Sequence, residues 1–280
     1  MKEGAIDNRA RVAAGKPPKA ADGHNAEETA ISAVRSLLCR NPEFVDMSAF
    51  ENVRRPKRKA GNRRPLYDYE FAELHYVTSA GGNDPELDVL VLDFTIATGA
   101  RAQGVYGLTG GQILDSQQMI ALKDKFARTD VMPVSAELIA RLRAHATSRG
   151  GPVCDPASPL YIPDTPVFWS SKRNGSGPMT GRRLDSLAAR WQASLDWAMQ
   201  EQVALHHVRH TMGAVVSTRY GLHFKRRYLR HSGLDATENY GQCTTEQLAL
   251  AMSELLKFEH PLVNGKEARE TETWSRLGLR

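Results

Sequence analysis

The chain has 280 residues, 41% of them hydrophobic, and a formal net charge of +5. That length sets an expectation of one or two domains with a sizeable core, and the basic balance suits a polyanionic partner without demanding one. Three scattered cysteines, Cys39, Cys154 and Cys243, argue against a disulfide framework and read as a reduced, cytosolic protein, while the lack of any long apolar run argues against a membrane span or a signal core.

In chain order, residues 1–25 are polar, rich in Ala, Gly and Pro, and expected to be disordered. AEETAISAVRSLLCR, 26–40, spaces Ile31, Val34 and Leu38 as a helix does. VRRPKRKAGNRRP, 53–65, carries seven Arg or Lys in the eleven residues from Arg54 to Arg64. Such a run is either a solvated linker or a strap across a phosphate backbone, and both readings stay open. YDYEFAELHYVTSA reads as a helix. NDPELDVLVLDFTIATGA reads as another, with Asp84 as N-cap, Pro85 at the first helical position, and Leu87, Leu90, Val91 and Phe94 as its buried stripe. Over 112–134, SQQMIAL, the charged turn KDKFAR and TDVMPV predict a hairpin. SAELIARLRAHA, 135–146, is a helix with Ser135 as N-cap, and 149–180 is a Gly-, Pro- and Ser-rich loop with one short apolar piece, VFWSS. RRLDSLAARWQASLDWAM predicts a single helix. HHVRHTMGAVVSTRY begins the next, with Leu205, Val208, Met212, Val215 and Val216 as its apolar stripe. His206, Arg209 and His210 fall on a neighbouring stripe that can face a cleft. TTEQLALAMSELLKF closes the series as an amphipathic helix, and no internal repeat is evident.

LHHVRHT, 205–211, sets three of the chain's nine histidines around one arginine. His206 and His210, four apart on a helix, have the spacing of a zinc-binding pair, but the metalloprotease pattern needs Glu after the first His and His207 stands there. A structural cluster at a helix start is the second reading. An anion site, with Arg209 and His206 one turn apart holding a phosphate, is the third.

Other residues bear on that choice. Arg101 follows Thr-Gly in IATGARAQG, Lys125 lies in the hairpin turn of KFARTDVMPV, and His231 and Tyr240 are nine apart in LRHSGLDATENYGQ. Taken singly, Arg101 reads as a surface or C-cap arginine, Lys125 as a solvated lysine, Tyr240 as a packing residue and His207 as a surface residue; His210 reads as a supporting hydrogen-bond partner. Taken together, TGAR, the hairpin Lys, HHVRH, RHSGL and TENY resemble the tyrosine recombinases, the phage-integrase family. NVRRPKR before YDYEFAEL also resembles that family's linker into its first catalytic helix. The resemblance covers roughly 40–265. Gly104 stands where the family often has an acidic residue, and Arg230 where it usually has Gly.

The resemblance implies a mostly α fold with a small antiparallel β-sheet. It implies a remnant of a core-binding domain over 26–56, a basic linker over 57–65, and a catalytic domain over 66–280. It implies catalytic roles for Arg101, Lys125, His206, Arg209, His231 and Tyr240, with DNA cut and rejoined through a 3′-phosphotyrosyl link. Arg54, Arg55, Lys57, Arg58, Lys59, Lys225, Arg226 and Arg227 are the expected contacts to double-stranded DNA. Neither a metal nor another cofactor is implied, since cationic side chains can carry the transition-state charge. Four protomers on two duplexes, from a protein that can be monomeric when free, is the expected assembly, with the helix at 244–258 as the docking element. The expected setting is the cytoplasm, at the nucleoid. A type IB topoisomerase-like relaxing activity and a non-catalytic DNA-binding remnant are the alternatives.

Overall fold

The computed structural model describes residues 64–123, 129–172, 175–230 and 243–263, together with Ile31, Ala33 and Val34, which are helical. The chain divides into two units, Met1–Arg63 and Arg64–Arg280. In the second, Arg64 is the last cation of the basic run, and it is a structural residue. Its guanidinium binds both carboxylate oxygens of Glu70, at 2.7 and 2.6 Å, and lies 4.6 Å from the centre of the Tyr67 ring. Glu70 also accepts the Tyr67 backbone N–H at 2.8 Å, which starts helix α1 (Asp68–Ala80).

Helix α2 (Pro85–Thr98) begins as its sequence dictates, with Asp84 accepting the Leu87 N–H and Pro85 in the first turn. Leu87, Leu90, Val91 and Phe94 are buried, but so are Leu92, Thr95, Ala97 and Thr98, so α2 runs through the core rather than over it. Its one deeply buried charge, Asp88, receives two nitrogens of Arg183 and one of Arg190, all at 2.7 Å. After the short α3 (Ala102–Tyr106) come β1 (Ile113–Leu114), β2 (Met119–Lys123) and β3 (Thr129–Pro133), an antiparallel sheet in the order β1-β2-β3. The β2–β3 register runs from Met119↔Pro133 to Lys123↔Thr129 and makes the expected hairpin. Ser135 caps α4 (Ala136–Gly150) by accepting the Leu138 N–H at 3.1 Å.

Two expectations change here. The segment expected to be loop folds back as β4 (Trp169–Lys172) paired with β5 (Gly175–Pro178). WSSK and GSGP show no apolar alternation. The strand is held by position instead, with the Trp169 N–H donated to His145 Nε2 at 3.1 Å. The single helix expected after it is two, α5 (Gly181–Ser194) and α6 (Asp196–Gln200), broken at an extended Leu195. Trp191 donates to Thr78 and Trp197 to Glu73, both on α1. On one continuous helix these rings, six apart, would point about 120° away from each other, and the break lets both reach α1.

Helix α7 (Leu205–Tyr220) carries the histidine cluster, α8 (Leu222–Leu229) the following basic run, and α9 (Thr245–Leu256) ends the series. Four of the five stripe residues of α7 are buried; Val215 is half-buried. The apolar face of α9, with Leu248, Ala249, Ala251 and Met252, packs within the chain against β3 and α8. That face of the helix expected as the docking element is therefore covered by its own domain. The fold is mostly α with small antiparallel sheets, as expected, and no helix among the described residues is long and apolar enough to cross a membrane.

Candidate active site

The site is built where the C-terminal ends of α2 and α8 meet α7. Gly99 closes α2 with φ +56, a left-handed turn that favours glycine, and its N–H returns to Thr95 O at 2.8 Å. A Cβ there would lie 2.7 Å from the Tyr228 ring. Tyr228 is wholly buried, and its hydroxyl donates to Ile96 O at 2.7 Å. The last carbonyls of both helices would be orphaned in this interior, and two arginines take them. Arg209, from α7, donates to Gly99 O and Leu229 O. Arg230 donates to Thr98 O at 2.7 Å, to Gly99 O at 2.9 Å and to Tyr228 O at 3.2 Å.

The electrostatics of this arrangement are unusual. Arg209 and Arg230 are 8% and 5% exposed, yet among the described residues their hydrogen-bond acceptors are backbone carbonyls rather than carboxylates. Carbonyls at helix C-termini carry only partial negative charge, so the pair retains most of its positive charge. Burial, then the neighbouring charges of Arg230 and Arg101, pull the Arg209 pKa down to about 9. Burial brings Arg230 down to about 10; Tyr228 opposes that fall and Arg101 adds to it. Both remain cations at pH 7. Arg101 caps the start of α3 in extended conformation and is itself exposed. Two buried cations beside an exposed one, with no carboxylate bonded to them among the described residues, form a site suited to an anion.

The histidine cluster resolves into separate roles. His207 is 4% exposed and accepts the Ala204 N–H at its Nδ1, 3.1 Å away, so it closes the helix start. The expectation of a surface residue is thus corrected: the ring is turned in to take the Ala204 N–H, next to the buried Val203 and Leu205. His206 is the outward imidazole, exposed, with its ring centre 4.1 Å from that of His207. His210 is half-buried. His206 and Arg209 therefore share one turn but not one environment. Thr211 anchors this helix, accepting the Leu66 N–H at 3.0 Å. Among the described residues no three His, Cys, Asp or Glu side chains gather as a metal site.

Of the basic run on α8, Lys225 and Arg226 are half-buried. Arg227 is tied inward, to Asp130 on β3 and to Thr245 Oγ1 at the start of α9, 3.3 Å away. That guanidinium holds the sheet, α8 and α9 together. Lys125, His231, Tyr240 and the cations Arg54, Arg55, Lys57, Arg58 and Lys59 lie outside the described residues; Lys125 falls between the paired strand ends Lys123 and Thr129. Arg230 had only the sequence signature of a departure from a pattern. Its place in the cluster could not be read, because two of its acceptors lie 132 and 131 residues away.

No protein-family model and no curated protein matches this sequence. Solved structures of similar form include an integrase from mycobacterium phage Brujita, at 16% identity over 81% of this chain and 70% of that one, with a TM-score of 0.45. A lambda integrase dimer bound to a COC′ core site is 15% identical over 87% and 82%, with a TM-score of 0.49. The Tn1549 transposon integrase in complex with transposon right end DNA is 17% identical over 83% and 78%, with a TM-score of 0.47.

Proposed function

We propose that this chain is a site-specific DNA recombinase of the tyrosine type, which cuts and rejoins strands to integrate or excise a mobile element. The observation that carries the reading is the arginine cluster, with Arg209 and Arg230 buried on helix-terminal carbonyls beside the exposed Arg101 and no carboxylate bonded to them among the described residues. A phosphodiester under attack spreads negative charge over its nonbridging oxygens, and guanidinium groups hold such oxygens in their planar fork at any physiological pH. In this reading Arg101 and Arg209 clamp the phosphate. The Tyr240 hydroxyl forms the new bond to phosphorus and loses its proton to His206, the exposed imidazole one turn from Arg209. The P–O5′ bond breaks as Lys125 gives that oxygen a proton, and His231 donates to a nonbridging oxygen. The phosphotyrosyl link keeps the bond energy, so rejoining is the same step reversed by a 5′ hydroxyl.

Double-stranded DNA is the proposed partner, with four protomers on two duplexes during exchange. Because the apolar face of α9 is covered in the single chain, such assembly requires either that face to be released or another surface. The test is a duplex nicked near the cleavage site, which traps the covalent complex. Wild type should form an adduct that persists in excess chelator, and Tyr240→Phe should bind the same DNA without forming one. An adduct mapped to Tyr220 would refute the assignment, as would binding without any adduct, the behaviour of a DNA-binding remnant. Exchange between two duplexes separates recombination from simple relaxation of supercoils.

A further inference from the structure

Arg230 does something that neither a surface cation nor an ordinary helix cap does. Its backbone is left-handed, φ +50, a conformation that side chains other than Gly and Asn seldom adopt. A glycine would meet that need without strain, yet the position holds one of the largest side chains and buries it to 5% exposure. Among the described residues the hydrogen bonds of the guanidinium go to no carboxylate; Asp130, whose charge it feels, is bound by Arg227. It reaches instead to Thr98 O and Gly99 O, the last two carbonyls before the segment that leads through Ala100 to Arg101. Gly99 O also receives Arg209. One carbonyl therefore joins Arg209 to Arg230, and a second bond from Arg230 to Thr98 stops the turn from pivoting about that joint.

We infer that Arg230 is a positioning residue: it locks the Thr98–Arg101 turn and so sets the separation of Arg101 from Arg209, without itself holding the substrate. The inference rests on the reading that Arg101 and Arg209 clamp a DNA phosphate. A planar guanidinium can span two neighbouring carbonyls with separate nitrogens, whereas an ammonium is a single point charge. A clamp loosened by an ångström binds nearly as well but reacts more slowly, on the order of a hundredfold in the limit.

The test uses Arg230→Gly, which keeps the left-handed backbone and removes all three hydrogen bonds, in the full-length chain with the nicked duplex. At saturating DNA the rate of adduct formation per folded molecule should fall by about ten- to a hundredfold, while DNA affinity should change by less than about threefold, because the phosphate ligands remain. Low concentrations of guanidinium ion should restore part of that rate. Arg230→Lys should stay slow. A rate per folded molecule equal to wild type would make Arg230 only a cap and overturn the inference. So would parallel losses of rate and affinity without guanidinium rescue, the signature of a direct phosphate ligand. If wild type forms no adduct, the strand-transfer reading fails, and inorganic phosphate then tests Arg230 separately. Phosphate should raise the unfolding temperature of wild type and of Arg230→Gly alike, because Arg101 and Arg209 remain; a shift lost in Arg230→Gly, the mark of a direct ligand, or none in either, would overturn the inference.

Discussion

Gly99→Ala tests the joint on which the whole site turns. Two costs are expected at that position. The first is backbone: at φ +56 an L-residue is strained by about 1–2 kcal/mol. The second is contact: the new methyl would sit 2.7 Å from Cε1 and 2.8 Å from Cζ of Tyr228. That ring cannot swing away, because it is fully buried and its hydroxyl is bound to Ile96 O at 2.7 Å. Overpacking of this kind costs about 1–3 kcal/mol. The restricted unfolded chain returns about 0.4–1 kcal/mol, which leaves a net loss of roughly 2–4 kcal/mol. Lys257→Gly is the backbone reference, since exposed Lys257 has φ +59 and ψ 54, close to the φ +56 and ψ 30 of Gly99. It should gain about 1 kcal/mol, the backbone share alone with its sign reversed. Denaturant unfolding measures both, with unchanged slope expected if the unfolded states are alike. In thermal unfolding each kcal/mol corresponds to about 2–4 °C for a domain of this size. If Gly99→Ala loses no more than Lys257→Gly gains, the close approach of Tyr228 to the end of α2 does not constrain the site, and the argument for a rigid Gly99 carbonyl fails.

Burial, with the Arg149 charge acting in the same direction, holds the His145 pKa at about 4 against 6.5 for a free imidazole. The unfolded chain therefore takes up a proton first. Stability from this residue is complete above pH 6.5 and is lost as pH falls toward 4, by about 1.5 kcal/mol between pH 6.5 and 5; unfolding of His145→Gln across that range should show the loss removed, and an unchanged slope would exclude His145 as its source. Neutralising Arg54, Arg55, Lys57 and Arg58 together should weaken DNA binding to all sequences alike and flatten the plot of log affinity against log salt by about 0.9 for each phosphate left without its cation. An unchanged salt slope would make the run a tether.

Local chemistry determined much of this protein. Asp84-Pro85 and Ser135 start helices wherever they are placed, because a cap needs only the backbone three residues on. The β2–β3 hairpin follows from two apolar runs flanking a charged turn. His206 and Arg209 pair by their spacing on one helical turn, whereas Arg101 joins them only through the resemblance to the tyrosine recombinases. Tertiary structure decided the rest. WSSK became a strand through a bond to His145 Nε2, and the helix after it broke so that two tryptophans could reach one neighbour. His207, one residue from an exposed imidazole, turned inward to close the helix start. Arg227 and Arg230, three apart in one basic run, parted in the same way: one went to a carboxylate on the sheet, the other to the carbonyls that end α2. The chain order holds no trace of that division, because a cation's acceptor is fixed by which element the fold brings within about 3 Å of it. Here those acceptors lie roughly a hundred residues upstream.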